Sequence, residues 1–163
     1  MDVSSLTVID LLKTYGAVLD ELRRREIVRS TNNPVSDLAE HLFCTAYPSW
    51  MRENNSASGH DAVDPTGLRY QIKARRLHRN NGSRQLSAIR NLPNDPFDFL
   101  AGVLFDETFG IRRAAIIPLA VVKERAKHVE HTNSWRFLLR EEIWADPGVL
   151  DVTERIRKAA TSL

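Results

Sequence analysis

The segment Gly59 to Arg76, GHDAVDPTGLRYQIKARR, holds an acid, an amide and an amine at spacings that can build a divalent-cation site. In its DPTG stretch, Pro65 suits the second position of a type I turn, and Gly67 suits the left-handed residue that follows. Such a turn closes a three-residue hairpin loop, so Asp64 pairs with Leu68 and Asp61 lies opposite Gln71. Opposed residues share a sheet face, with Cβ atoms roughly 5 Å apart. Lys73, two positions on, shares that face, while Tyr70, Ile72 and Ala74 point the other way into the expected core. Asp64 is expected to cap the turn with its side chain. A Mg²⁺ ion takes oxygen ligands at about 2.0–2.1 Å and keeps several waters, a demand that a carboxylate and an amide oxygen can share. A nearby ammonium can orient a water or offset charge developing on a phosphoryl group. The arrangement depends on register, because a one-residue slip turns the face over.

The rest of the chain must hold that hairpin. Its 163 residues, 42% apolar and 27% charged, have the balance of a single globular domain with its own core. The lone cysteine, Cys44, excludes an internal disulfide framework. No apolar run is long enough to span a bilayer, and the N-terminus lacks the basic start of a signal peptide, so a cytoplasmic protein without membrane contact is expected. Net charge is only +2, yet the window from Pro65 to Asn94 contains no Asp or Glu. It carries Arg69, Lys73, Arg75, Arg76, Arg79, Arg84 and Arg90. This segregation suits a polyanion, and arginine suits phosphate, which its planar fork grips with two hydrogen bonds. The alternative is a solvated basic face paired with acids elsewhere in the fold.

Apolar periodicity predicts a helix over Leu6 to Arg25. A second helix starts at Asn33-Pro34 and ends before Pro48, with Val35, Leu38, Ala39, Leu42 and Ala46 as its core stripe and Asp37, Glu40 and His41 off it. Short strands are expected in SWMRENN, HDAV and LRYQIKARRL, with a turn at Asn80-Asn81-Gly82. Residues 83–92 fit a strand or a short helix equally well. FDFLAGVLF and IRRAAIIP read as a buried strand pair. A helix over Leu119 to His128, a strand in TNSWRFLL and an amphipathic helix in DVTERIRKAA complete one α+β (α/β) domain with a central mixed sheet flanked by helices.

The order acid, turn and (D/E/Q)-x-K, preceded by a helix bearing a glutamate, resembles the PD-(D/E)xK, or restriction endonuclease-like, nuclease superfamily. The likeness is to small bacterial and phage members with a Q-x-K variant. It covers residues 33–163, leaving 1–32 as an N-terminal helical segment. It implies a metal-dependent endonuclease that hydrolyses DNA with Mg²⁺, or Mn²⁺ in its place. Asp61 would bind the metal, Gln71 would stand where Glu or Asp is usual, and the carbonyl of Ile72 would add a ligand. Lys73 would act on the attacking water, and Glu40 would reach the same metal from its helix. Glu40 without the resemblance reads as an ordinary solvated helix residue. Arg75, Arg76, Arg79 and Arg84 are the DNA-backbone candidates. One site per chain suggests a homodimer for double-strand cleavage, and the short chain suggests that a protein partner could supply specificity. Because Gln71 lacks a charge, a non-catalytic nucleic-acid-binding module or a regulatory subunit of a restriction or defence system is the alternative. His128 and His131 lack further ligands for zinc, and Trp135 and Phe137 are expected in the core.

Overall fold

A computed structural model describes residues 2–31, 33–53 and 59–163. Its described residues form four α-helices around a six-stranded mixed sheet, an α+β arrangement. The helices are α1 (Val8–Arg24), α2 (Val35–Ala46), α3 (Leu119–Arg125) and α4 (Thr153–Ala160). The sheet runs in the order β1 (Met51–Arg52), β2 (Ala62–Val63), β3 (Arg69–Arg76), β4 (Phe99–Phe105), β5 (Ile111–Pro118) and β8 (Leu150–Asp151). Among the described residues only the β3–β4 pair is parallel. A separate hairpin joins β6 (Lys127–Val129) to β7 (Ser134–Arg136).

Two apolar layers hold the sheet. On one side, Tyr70, Ile72 and Ala74 of β3 pack with Ala39, Leu42 and Phe43 of α2 and Ile156 of α4. On the other, Leu100 and Leu104 of β4 pack with Leu86, Ile89, Phe137 and Leu139. β4 is therefore buried on both faces, which is why FDFLAGVLF is continuously apolar rather than alternating. Gln71, Lys73 and Arg75 lie beside Leu100, Gly102 and Leu104, on this second side.

Several expectations shift. The helix expected to reach His128 stops at Arg125, and Lys127 to Val129 form β6 instead. Residues 83–92 form neither a full strand nor an α-helix: Gln85 bridges to Leu138 and Ile89 to Trp135, so this segment lies along TNSWRFLL, and Leu92 opens a short 3-10 turn. The turn after β3 centres on Arg79-Asn80, closed by His78 and Asn81, one residue before the expected place. SWMRENN is a strand only at Met51 and Arg52, and its last two residues lie outside the described part. Trp135 is half-buried, Phe137 fully buried. In α1 only Leu19 is buried; Val8, Leu11, Tyr15 and Val18 stay exposed.

The α2 stripe also differs, because Phe43 and Asp37 are buried. Asp37 anchors the chain entering the helix: its Oδ2 accepts from the N–H groups of Arg29 at 3.0 Å and Ser30 at 2.8 Å and from the Ser30 hydroxyl at 2.8 Å. Burial works to raise its pKa, but the Ser30 and Arg29 bonds together hold it below the ordinary 3.8. That stabilisation is complete above 3.8 and fades as pH falls through the lower folded value. Asp37→Asn should cost about 1–3 kcal/mol at pH 7, and the deficit should shrink in acid. Thermal melts at pH 7 and pH 3 test this; equal Tm values at pH 7 would remove the anchor.

Candidate metal and phosphoryl-transfer site

The hairpin forms in the expected register. Ala62 pairs with Tyr70 and Val63 with Arg69, which sets Asp61 across from Gln71. The turn closes by Gly67 N–H donating to the Asp64 carbonyl at 2.9 Å, with Gly67 at φ +89°. Asp64 Oδ1 accepts from the N–H and hydroxyl of Thr66 and from Leu68 N–H. Behind the hairpin, the Tyr47, Trp50, Tyr70 and Phe99 rings stack in series, with Trp50 and Tyr70 centroids 3.9 Å apart. This stack fixes the face that β3 turns away from the site.

β2 and β3 pair over only two residues before they part. In that opening Asp61 takes over from the ladder: its N–H donates to the Tyr70 carbonyl at 2.8 Å, and its Oδ2 accepts the Ile72 N–H at 2.6 Å. The N–H and C=O of one strand residue leave on the same side, so the Ile72 carbonyl also leaves β3 toward Asp61. Asp61 thus keeps one carboxylate oxygen free of this bond.

Glu40 comes from α2. Its side chain is 13% exposed and held by Arg29 and by Arg52, the latter at 3.5 Å. Burial, then the nearby Asp61 carboxylate, raises its pKa above the ordinary 4.5 despite both guanidiniums. Lys73 feels the same pair of acids. Burial pulls its pKa below 10.5, Asp61 and Glu40 resist, and Arg90 adds to the fall. Part of this burial has a visible source. Gly102, beside Lys73 in register, has no side chain, and Leu86 and Leu139 fill the space: a Cβ there would lie 3.0 Å from Leu139 Cδ2. Glu40, Asp61 and Lys73 therefore form one electrostatic group.

Gln71 completes it. The residue is 8% exposed, and its Oε1 is buried without a hydrogen-bond donor among the described residues. An unsatisfied buried amide oxygen costs about 1–3 kcal/mol, so the site carries an acceptor that calls for a cation or a donor. Two carboxylates, an amide oxygen and a backbone carbonyl are hard oxygen donors of the kind Mg²⁺ or Mn²⁺ takes, and in this respect the residues fit the ion. Among the described residues no three His, Cys, Asp or Glu side chains gather, because the third side-chain donor here is an amide.

The four expected DNA-contacting arginines have different surroundings. Arg75 makes no ion pair among the described residues, and its Nε is buried without a partner. Arg76 donates to the Glu107 carbonyl and stacks over Phe109 at 4.2 Å. Arg79 pairs with Glu107 and Arg84 with Glu141, so the alternative of a basic face paired with acids is realised at two of the four. Sequence reasoning did not find Arg29 and Arg52, which hold Glu40, nor the place of Arg90 near Lys73. Each arrives by tertiary packing from a segment without a local signal.

The chain matches no family model and no curated protein.

Proposed function

We propose that the protein is a Mg²⁺-dependent endonuclease, able to use Mn²⁺, that hydrolyses DNA phosphodiester bonds on a restriction endonuclease-like core. The observation that carries this reading is the buried, unpartnered Gln71 Oε1 beside Asp61, Lys73 and Glu40. Asp61, Glu40, Gln71 and the Ile72 carbonyl would hold the ion. Bound there, a divalent cation lowers the pKa of water and offsets phosphate charge. Lys73, desolvated yet flanked by two acids, would hold the attacking water and stabilise charge on the non-bridging oxygens as the ester bond breaks. Arg75, on the same face, would grip a neighbouring phosphate.

Cleavage of both strands with one site per chain calls for a two-fold pair. Val8, Leu11, Tyr15, Val18 and Leu22 follow the alternating three–four spacing of a helix–helix seam, and the first four are exposed, so α1 would pair with its copy. A Tyr15→Asp chain that sediments like the unaltered protein would place the pairing elsewhere.

A second reading has one observation behind it. Arg29 and Arg52 already neutralise Glu40, and Gln71 is uncharged, so the site could grip nucleic acid without cutting it. Calorimetric titration with Mg²⁺ or Mn²⁺ separates the two. The nuclease reading expects saturable binding that Asp61→Asn weakens at least about tenfold. Absent binding in the unaltered chain would favour the gripping module.

A further inference from the structure

The β6–β7 hairpin puts like charges face to face. Lys127 and Arg136 are directly opposed across its two strands, a placement that weakens a hairpin on its own. Arg125 and Arg140 join them around a cavity of about 290 Å³, which Glu142 also lines. Arg125 is held by Asp146, but Lys127, Arg136 and Arg140 have no side-chain hydrogen bond or ion pair among the described residues. Of the two adjacent carboxylates, Glu141 is already taken by Arg84 and Arg113, which leaves Glu142. Three such cations thus line one concave surface, with Glu142 its single carboxylate among the described residues.

The place of this cavity matters as much as its charge. β7 is hydrogen-bonded to the extended segment before it: Ile89 and Trp135 exchange N–H···O bonds of 3.0 and 2.8 Å, and Leu86 N–H donates to the Phe137 carbonyl at 3.0 Å. Leu86, Ile89, Phe137 and Leu139 pack on the sheet side that carries Gln71, Lys73 and Arg75. Arg90, next to Ile89, has no ion pair among the described residues and lies within electrostatic range of Lys73. Arg75 and Arg90 on this layer share with the three hairpin cations the lack of an ion pair among the described residues.

We infer that the Lys127–Arg136–Arg140 cavity is a second phosphate site, binding the duplex DNA backbone away from the bond that is cut. The inference rests on the nucleic-acid reading of the Lys73 face and adds a phosphate grip outside it. Opposed cations that cost stability in the free protein become favourable when a phosphodiester lies between them.

The test is duplex binding by the full chain in EDTA, read by fluorescence anisotropy over a salt series, so cleavage plays no part. Removing charge by Lys127→Ala with Arg136→Ala should weaken binding at low salt and make the log–log salt slope shallower by about 0.9 for each phosphate no longer held. The same variant should melt at the same temperature as the unaltered protein or about 1–2 °C higher at low salt, since a repulsion is relieved. Arg75→Ala is the separate arm for the Lys73 face. A slope changed by Arg75→Ala but not by the hairpin variant would overturn the second site and leave the proposed function standing. A slope changed by the hairpin variant alone would support the cavity and count against the Lys73 face. Inorganic phosphate that raises Tm through the cavity, with duplex binding unchanged in the hairpin variant, would assign the cavity to free phosphate and overturn the inference.

Discussion

Lys73→Ala is expected to slow DNA cleavage by about 10²–10³-fold while duplex binding and the fold persist. The ammonium belongs to neither apolar layer, so its loss removes the charge proposed to face the phosphate without opening a core cavity. Its partners point the same way. Asp61 and Glu40 hold a positive charge at a place where burial disfavours it, an expense that a structural lysine would avoid by reaching solvent. Single-turnover rates beside anisotropy binding curves and a thermal melt separate the effects. Undiminished nicking by a folded Lys73→Ala protein would take Lys73 out of the chemistry; loss of binding together with cleavage would make it a phosphate anchor.

The second large effect concerns Gln71. Its Oε1 is buried and lacks a donor among the described residues, so Gln71→Glu should place a carboxylate of nearly the same shape at the proposed ion site. Mg²⁺ affinity should rise on the order of tenfold, equivalent to about 1.4 kcal/mol, and half-maximal cleavage should come at correspondingly lower Mg²⁺. The substitution has a pH signature too. Glu40 already titrates above 4.5 because it is buried near Asp61, and a further negative charge would raise it more. Metal binding requires the ionised form, so affinity in both proteins should fall with acid, beginning at higher pH in Gln71→Glu. If Gln71 instead donates its amide to a phosphate or base, the variant would lose DNA binding with unchanged metal affinity. Calorimetry with Mg²⁺ and anisotropy with DNA distinguish these results.

The hairpin is legible in the sequence because its determinants are local. Pro65 and Gly67 fix the loop length, loop length fixes register, and register sets Asp61 against Gln71. The β4–β5 pair is legible for a similar reason, as Leu100–Phe105 and Ala114–Ile117 are continuously apolar and buried. Residues 83–92 are not legible. Leu86 and Ile89 suit either period, and partners about fifty residues downstream, Phe137 and Trp135, draw the segment into bridge pairing instead of a helix. The helix expected to continue to His128 ends early because Lys127 to Val129 pair with Ser134 to Arg136, a tertiary choice that local periodicity cannot register. Asp37 reads as a solvent-facing residue because its ligands, the Arg29 and Ser30 amides, come from the preceding loop. In the site itself, the acid, amide and amine are readable from spacing, whereas the grip of Arg29 and Arg52 on Glu40 depends on how β1 and the loop before α2 pack.

Incubation of the purified chain with supercoiled plasmid, with and without Mg²⁺ or Mn²⁺ and with Asp61→Asn run beside it, tests whether this hairpin carries a metal-dependent nuclease. Asp61 is the acid that both joins the opened strands and faces Gln71, so the variant removes the charge of the proposed metal ligand while keeping its size. The expected result is conversion to nicked and linear plasmid only when a divalent ion is present, with Asp61→Asn at least about a hundredfold slower. Equal cleavage in EDTA, or equal cleavage by Asp61→Asn, would contradict a metal-dependent site at this hairpin. An intact plasmid under every ion, with tight salt-dependent binding retained, would contradict the nuclease and leave a domain that holds DNA without cutting it.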